Sequence, residues 1–340
     1  MIAPLRKQLA PAIARISDAG MCAAMNLLQS RRAREASRPA DLAAYLAKHR
    51  GVARGEHFAA PPMEGGRFAD GRLEWESPLP CPHPENRRAS ALVFPAAGDP
   101  GAPAVIILHA LMSASDIGYR RVAKWFNERG WTALFPHLPF HYSRVPRGTF
   151  NGELAITADL VRNAETLRRA VIETRQLLAW LRGRGAAATA VLGTSYGGWT
   201  AALASSLEPG LHFLALVQPI ADVEAAIWEN PGAAAMRAQL RRNGIGRGVS
   251  EPHARLVSPL HCRSLCPPDR IVLVSGLYDS VSTPRHLGRL ARAWGAPRPV
   301  LVRQGHFGYA ALPATLREIE SRGLLSLLAE PGAGSHHSPG

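Results

Sequence analysis

Residues 188–199 read Ala-Thr-Ala-Val-Leu-Gly-Thr-Ser-Tyr-Gly-Gly-Trp. Ala188 to Leu192 is a short apolar run with the character of a buried strand, and Gly197 to Ser206 suits a helix. Between them lies Gly193-Thr194-Ser195-Tyr196-Gly197, which fits G-x-S-x-G. As bare spacing the pattern is common by chance; the strand before it and the helix after it give it meaning. A serine on so sharp a strand-to-helix turn has strained backbone angles and a side chain aimed off the carboxyl end of a sheet. Gly193 and Gly197 remove the side chains that would clash where strand and helix meet.

Outward from this stretch the chain alternates strand and helix. Ala104 to Leu108 is a fully apolar strand, followed by a helix from Tyr119 to Arg129. Thr132 to Phe135 and Leu211 to Ile220 read as strands, with a long helix from Val161 to Leu181. Strand Ile271 to Ser275, helix Arg285 to Trp294, strand Val300 to Val302 and a last helix from Leu312 to Leu328 complete the rhythm. Buried, unalternating strands between amphipathic helices predict an α/β fold: a mostly parallel central sheet flanked by helices. Arg67 to Ala97 reads as extended chain. Residues 222–268, with short helices Glu224 to Trp228 and Ala233 to Arg242, form an insertion placed to act as a small helical lid. Residues 1–60 form an N-terminal helical extension with Ile13, Ile16, Leu27 and Leu28 on one apolar face, expected to pack on the domain over 61–330. Residues 331–340 read as a disordered tail.

A serine nucleophile needs a base, and the base an orienting acid. His306 lies in Gln304-Gly305-His306-Phe307-Gly308, just past the last strand, and Asp279 lies just past the preceding one. The order Ser195, Asp279, His306 places all three catalytic candidates at carboxyl ends of strands. Asp222, after strand Leu211 to Ile220, is the alternative acid. Oxyanion donors are expected from the backbone N–H of Tyr196 and of Leu111, the latter in His109-Ala110-Leu111-Met112, with His109 bracing that loop. Candidate substrate-binding residues are Met112, His141, Arg144, Trp199, Trp228 and Phe307, with Tyr309 a further candidate for the acyl pocket wall. In the stretch Phe135 to Arg144, Arg144 or the nearby Arg147 could meet an acidic group; a purely structural loop is the other reading. His137 and His141 have metal-like spacing only on a helix, which Pro136 and Pro139 forbid.

These motifs resemble the α/β-hydrolase superfamily over roughly Ser90 to Leu328, and are similar to serine esterases and dienelactone-hydrolase-like proteins. Ala110 stands where the family's oxyanion loop commonly has Gly. The resemblance implies a serine hydrolase that cleaves a carboxylic ester or thioester through an acyl-enzyme. The alternatives are an acyltransferase on the same triad and a non-catalytic binding protein that keeps the fold. The partner implied is a small-molecule acyl substrate, with no metal and no organic cofactor.

The formal net charge is +14. Nearly all of it is Arg, with Lys only at positions 7, 48 and 124, and Arg is scattered among abundant Ala, Gly and Pro. This is the composition of a GC-rich, bacterial-type coding genome, and no nucleic-acid-binding motif accompanies it. Membrane-surface contact through the basic N-terminal helices is the minor alternative to packing. Four irregularly spaced cysteines read as free thiols in a reducing cytoplasm. No run approaches the ~20 apolar residues of a membrane span, and nothing in the sequence sets an oligomeric state.

Overall fold

The computed structural model describes residues 2–97 and 101–327; the tail expected over 331–340 lies outside them. One nine-stranded sheet runs through the molecule: β1 (Arg67–Ala69), β2 (Arg72–Glu76), β3 (Arg88–Phe94), β4 (Ala104–Leu108), β5 (Thr132–His137), β6 (Thr189–Thr194), β7 (Leu211–Val217), β8 (Ile271–Gly276) and β9 (Val300–Val302). The helices are α1 (Ile2–Ser30), α2 (Pro39–Lys48), α3 (Arg54–His57), α4 (Ile117–Asn127), α5 (Leu160–Gly183) and α6 (Tyr196–Ser205). They continue with α7 (Val223–Trp228), α8 (Ala234–Arg242), α9 (Arg247–Val257), α10 (Pro284–Trp294) and α11 (Ala311–Ser321).

The strand order is β1-β2-β3-β5-β4-β6-β7-β8-β9. The six strands from β5 to β9 are parallel, and β1, β2 and β3 extend one edge antiparallel. The mostly parallel sheet expected from the apolar runs is therefore present. Every residue of β4 is buried, and alternate ones serve different cores. Val105 and Ile107 pack with α4 and α11; Ile106 and Leu108 pack with α5, α6 and α10 on the other face. Two buried faces explain why the parallel strands carry no polar alternation.

The chain runs from β4 outward to β5, then returns past β4 to β6. This reversal opens a crevice at the carboxyl ends of β4 and β6, where doubly wound sheets place their ligand sites. The loops after β4, β6, β7, β8 and β9 converge there.

Several boundaries differ from the sequence reading. β7 ends at Val217, because Gln218 takes a positive φ of 48° that a strand cannot continue. α11 stops at Ser321, where Gly323 at φ 64° closes the helix and Leu324 N–H returns to Ile319 O. The insertion holds a third helix, α9, across Pro252, where no helix was expected. α7 to α9 pack against α1, α2, α5 and one another.

α1 docks by the opposite face from the one its apolar residues suggested. Ala14, Asp18, Cys22 and Gln29 are buried, whereas Ile13, Ile16 and Leu27 are exposed. Hydrogen bonds explain the choice: Asn26 Nδ2 donates to Pro231 O, Asn26 Oδ1 accepts from Ala235 N–H, and Gln29 O accepts from Gln239 Nε2. Small residues let the helix approach the Pro231–Ala233 turn closely, with Gly232 against Cys22. No helix among the described residues is long and apolar enough to cross a membrane.

Candidate active site

Ser195 follows β6 and precedes α6 with φ 51° and ψ −108°. This is a region L-residues rarely occupy, and it carries strain of ~1–3 kcal/mol. Its N–H donates to Val217 O at 2.8 Å, which pins the turn to the neighbouring strand. A Cβ on Gly193 would strike the Gly197 carbonyl, and one on Gly197 would strike the carbonyls of Leu108 and His109. The second glycine thus makes room for β4 and its loop, not for the elbow's own strand.

His306 Nδ1–H donates to Asp279 Oδ2 at 2.8 Å, which leaves Nε2 to accept from the Ser195 hydroxyl at 2.9 Å. Four donors converge on Asp279: His306 and Gln218 Nε2 (2.7 Å) on Oδ2, and the N–H groups of Val281 (2.8 Å) and Ser282 (2.7 Å) on Oδ1. Burial disfavours an imidazolium at His306. The Asp279 carboxylate, by charge and hydrogen bond, and the more distant charge of Asp18 outweigh this and hold His306 above its ordinary value. Asp222, the alternative acid, is engaged elsewhere: Oδ1 caps α7 at Ala225 N–H and Oδ2 pairs with Arg289.

The β4 loop is braced from beneath. His109 is fully buried and neutral, since burial pushes its pKa well below the usual range. Its Nε2 accepts from Leu138 N–H, and its Nδ1–H donates to Ala110 O. Ala110 N–H donates to Tyr119 Oη, and Met112 N–H to His141 Nε2 at 3.4 Å. Among the described residues, the N–H groups of Leu111 and Tyr196 have no acceptor.

The substrate-binding candidates separate in the fold. Leu111 and Met112 are partly exposed on the loop after β4, and Phe307 is partly exposed beside His306. His141 is fully buried beneath the β4 loop, its Nδ1–H donating to Pro139 O. Arg144 is corrected: it is buried in a bidentate pair with Glu173 at 2.6 and 2.9 Å and cannot reach a substrate acid. Of the two readings of that stretch, the structural loop is the one found at Arg144, while Arg147 is exposed. Trp199 is buried, donating to Val257 O and joining α6 to the insertion; Trp228 donates to Ser250 Oγ within the insertion. Tyr309 is 95 % exposed.

Three residues that the sequence did not single out complete the centre. Gln218 donates to Asp279 and to Gly305 O, and Gln304 Nε2 donates to Gln218 Oε1. Asp18, on α1, accepts from Ser280 N–H (3.1 Å), Ser280 Oγ (3.0 Å), His306 N–H (3.0 Å) and Phe307 N–H (3.3 Å). Position after a strand could have flagged Gln218; nothing local to Asp18 marks it.

Sheet order, elbow and the loops at the carboxyl ends define the class by its fold, which is that of the α/β hydrolases. The family model "Alpha/beta hydrolase domain containing 18" matches residues 76–227, a span that includes the β4 loop and Ser195 but not Asp279 or His306. The uncharacterized protein Rv2627c of Mycobacterium tuberculosis is 32% identical over 200 residues, covering 57% of this chain and 46% of that protein. The chain thus spans about half the length of the curated relatives it matches. Among solved structures, an acetyl xylan esterase from Paenibacillus sp. R4 is similar at TM-score 0.54 and 15% identity, covering 83% of this chain and 92% of that one. Acetyl xylan esterase 1 from Thermoanaerobacterium sp. is similar at TM-score 0.54 and 15% identity, covering 87% and 98%. At these identities the likeness is one of fold.

Proposed function

We propose that the protein is a serine hydrolase that cleaves a carboxylic ester or thioester of a small molecule through an acyl-enzyme on Ser195. The observation that carries this reading is the unbroken chain from Ser195 Oγ to His306 Nε2 at 2.9 Å and from His306 Nδ1 to Asp279 Oδ2 at 2.8 Å. In this mechanism Ser195 Oγ attacks the acyl carbon as His306 Nε2 takes its proton, while Asp279 holds the imidazole tautomer and stabilises the imidazolium. The N–H groups of Leu111 and Tyr196 receive the oxyanion. His306 returns the proton to the leaving alcohol or thiol, then activates water to release the acid. Two solved neighbours are esterases of acetylated xylan; fold does not transfer substrate, and the ester reading rests on the triad.

The test is hydrolysis of p-nitrophenyl esters of graded chain length by the native protein and by Ser195→Ala. Turnover should fall by about 10³-fold or more in the variant. Equal turnover by both proteins would refute the role of Ser195. The acyltransferase alternative predicts that, when an acceptor alcohol is present, the acyl group leaves as its ester without ¹⁸O from labelled water, in place of ¹⁸O-labelled acid.

A further inference from the structure

Backbone pairing past the strand ends (Leu277 N–H to Val302 O, Tyr278 N–H to Gln304 O) and Gln218, which spans Asp279 and Gly305 O, bring together the separate loops after β8 and β9 that carry acid and base. Asp18 lies between them. It comes from α1, outside the sheet and its crossover helices, and is 1 % exposed. Its Oδ2 accepts from the N–H and hydroxyl of Ser280, the residue after Asp279, and from the N–H of His306; its Oδ1 accepts from Phe307 N–H. A buried carboxylate is tolerated only when donors surround it. Here all four donors come from the two loops that carry acid and base. Helix packing alone would be served by an alanine, as at Ala14 one turn earlier.

We propose that Asp18 is a positioning residue for the Ser195–His306–Asp279 centre, carried in by the N-terminal helix, which ties the backbone of His306 to that of Ser280 and so sets the spacing of base and acid. The inference rests on the serine-hydrolase reading of that centre. Two consequences follow from the geometry. Loss of the clamp lets the histidine loop drift relative to Asp279, and displacements near 1 Å at a reacting centre reduce rate by as much as ~10²-fold. Loss of the charge alone removes one of the two carboxylates that act on His306, the other being Asp279 at Nδ1, while Nε2 accepts from the Ser195 hydroxyl.

The experiment compares full-length native protein with Asp18→Ala, Asp18→Asn and Ser280→Ala. Three quantities are read: kcat and KM on p-nitrophenyl butyrate across pH, the rate of Ser195 labelling by a fluorophosphonate, and the low-field proton resonance of His306 Nδ1–H, assigned by its loss in His306→Gln. Asp18→Ala should label and turn over ~10–100-fold more slowly with KM near native, and its resonance should shift or broaden. Asp18→Asn keeps an oxygen that can accept from Ser280 and His306, so it should recover much of kcat, while the acid limb of its pH profile moves to lower pH. Ser280→Ala, which loses one bond of the four, should fall between native and Asp18→Ala. Native kcat, pH profile and resonance in Asp18→Asn and Asp18→Ala would overturn the proposal. Should Asp18→Ala fail to fold, an unmoved acid limb and resonance in Asp18→Asn overturn it alone. A native protein that neither turns over nor labels at Ser195 refutes the hydrolase reading instead; the His306 resonance in Asp18→Asn still decides the role of Asp18.

Discussion

At the scale of single residues the centre is a set of hydrogen bonds whose partners set proton affinity. His306 is held above its ordinary value, about 6.5 for a free histidine. The base must be neutral to accept the Ser195 proton, so a raised value moves the loss of activity to higher pH. The acid limb of kcat/KM is therefore expected above pH ~6.5; a limb centred below that value would contradict the Asp279 contact. Gln218 is the one side-chain amide on Asp279. Gln218→Leu should lower stability by about 1–3 kcal/mol in chemical denaturation, since it leaves a buried carboxylate one donor short. It should also depress kcat more than KM, as a change at the acid and not at the acyl pocket. Ser195, Asp279 and His306 could be named from sequence because each follows a strand at a position the chemistry requires. Asp18 could not, because it follows no strand and its partners lie 262 or more residues away; Gln218 carries only its place after a strand, with its partner Asp279 61 residues on.

At the scale of elements, the closest approaches are made by glycine. A Cβ on Gly197 would meet backbone carbonyls of β4 and its loop, which have no rotamer to yield. Gly197→Ala is thus expected to destabilise the fold by ~2–3 kcal/mol or more, read as a lowered midpoint in denaturant with unchanged slope. α1 shows the opposite tolerance. Ile16 is 72 % exposed although it belongs to the apolar stripe of its helix. Ile16→Glu should leave stability within ~0.5 kcal/mol of native. A larger loss would mean that this face is covered in solution. Periodicity correctly announces a helix here but misassigns its buried side. The side that docks is chosen by Asp18, Asn26 and Gln29 finding hydrogen-bond partners on loops and helices that are remote in sequence.

At the scale of the whole molecule, buried histidines couple the fold to pH. Burial depresses His57 to about 3 and His137, His141 and His253 to about 4, against 6.5 for the free side chain. The unfolded chain therefore binds protons that the folded one refuses. Their contribution to stability is complete above pH ~6.5 and is lost as pH falls from there toward ~4. His306, shifted upward, works weakly in the other sense. Thermal melting is expected to drop steeply between pH 7 and pH 5, and a flat profile would show that these side chains are hydrated in the folded state. The parallel sheet, the strand-borne order of Ser195, Asp279 and His306, and the strained serine turn were all determined by the sequence itself. Apolar runs, glycine spacing and chain order are local properties, and strand ends project their residues to one edge wherever the strands lie. Tertiary structure alone decided that Arg144 belongs to Glu173, that Asp222 caps α7 and pairs with Arg289, and that the exposed face of α1 is its apolar one. It also decided that Asp18 joins the site. Burial of a charged group depends on which donors the rest of the chain brings to it, and that is fixed only when the chain has closed.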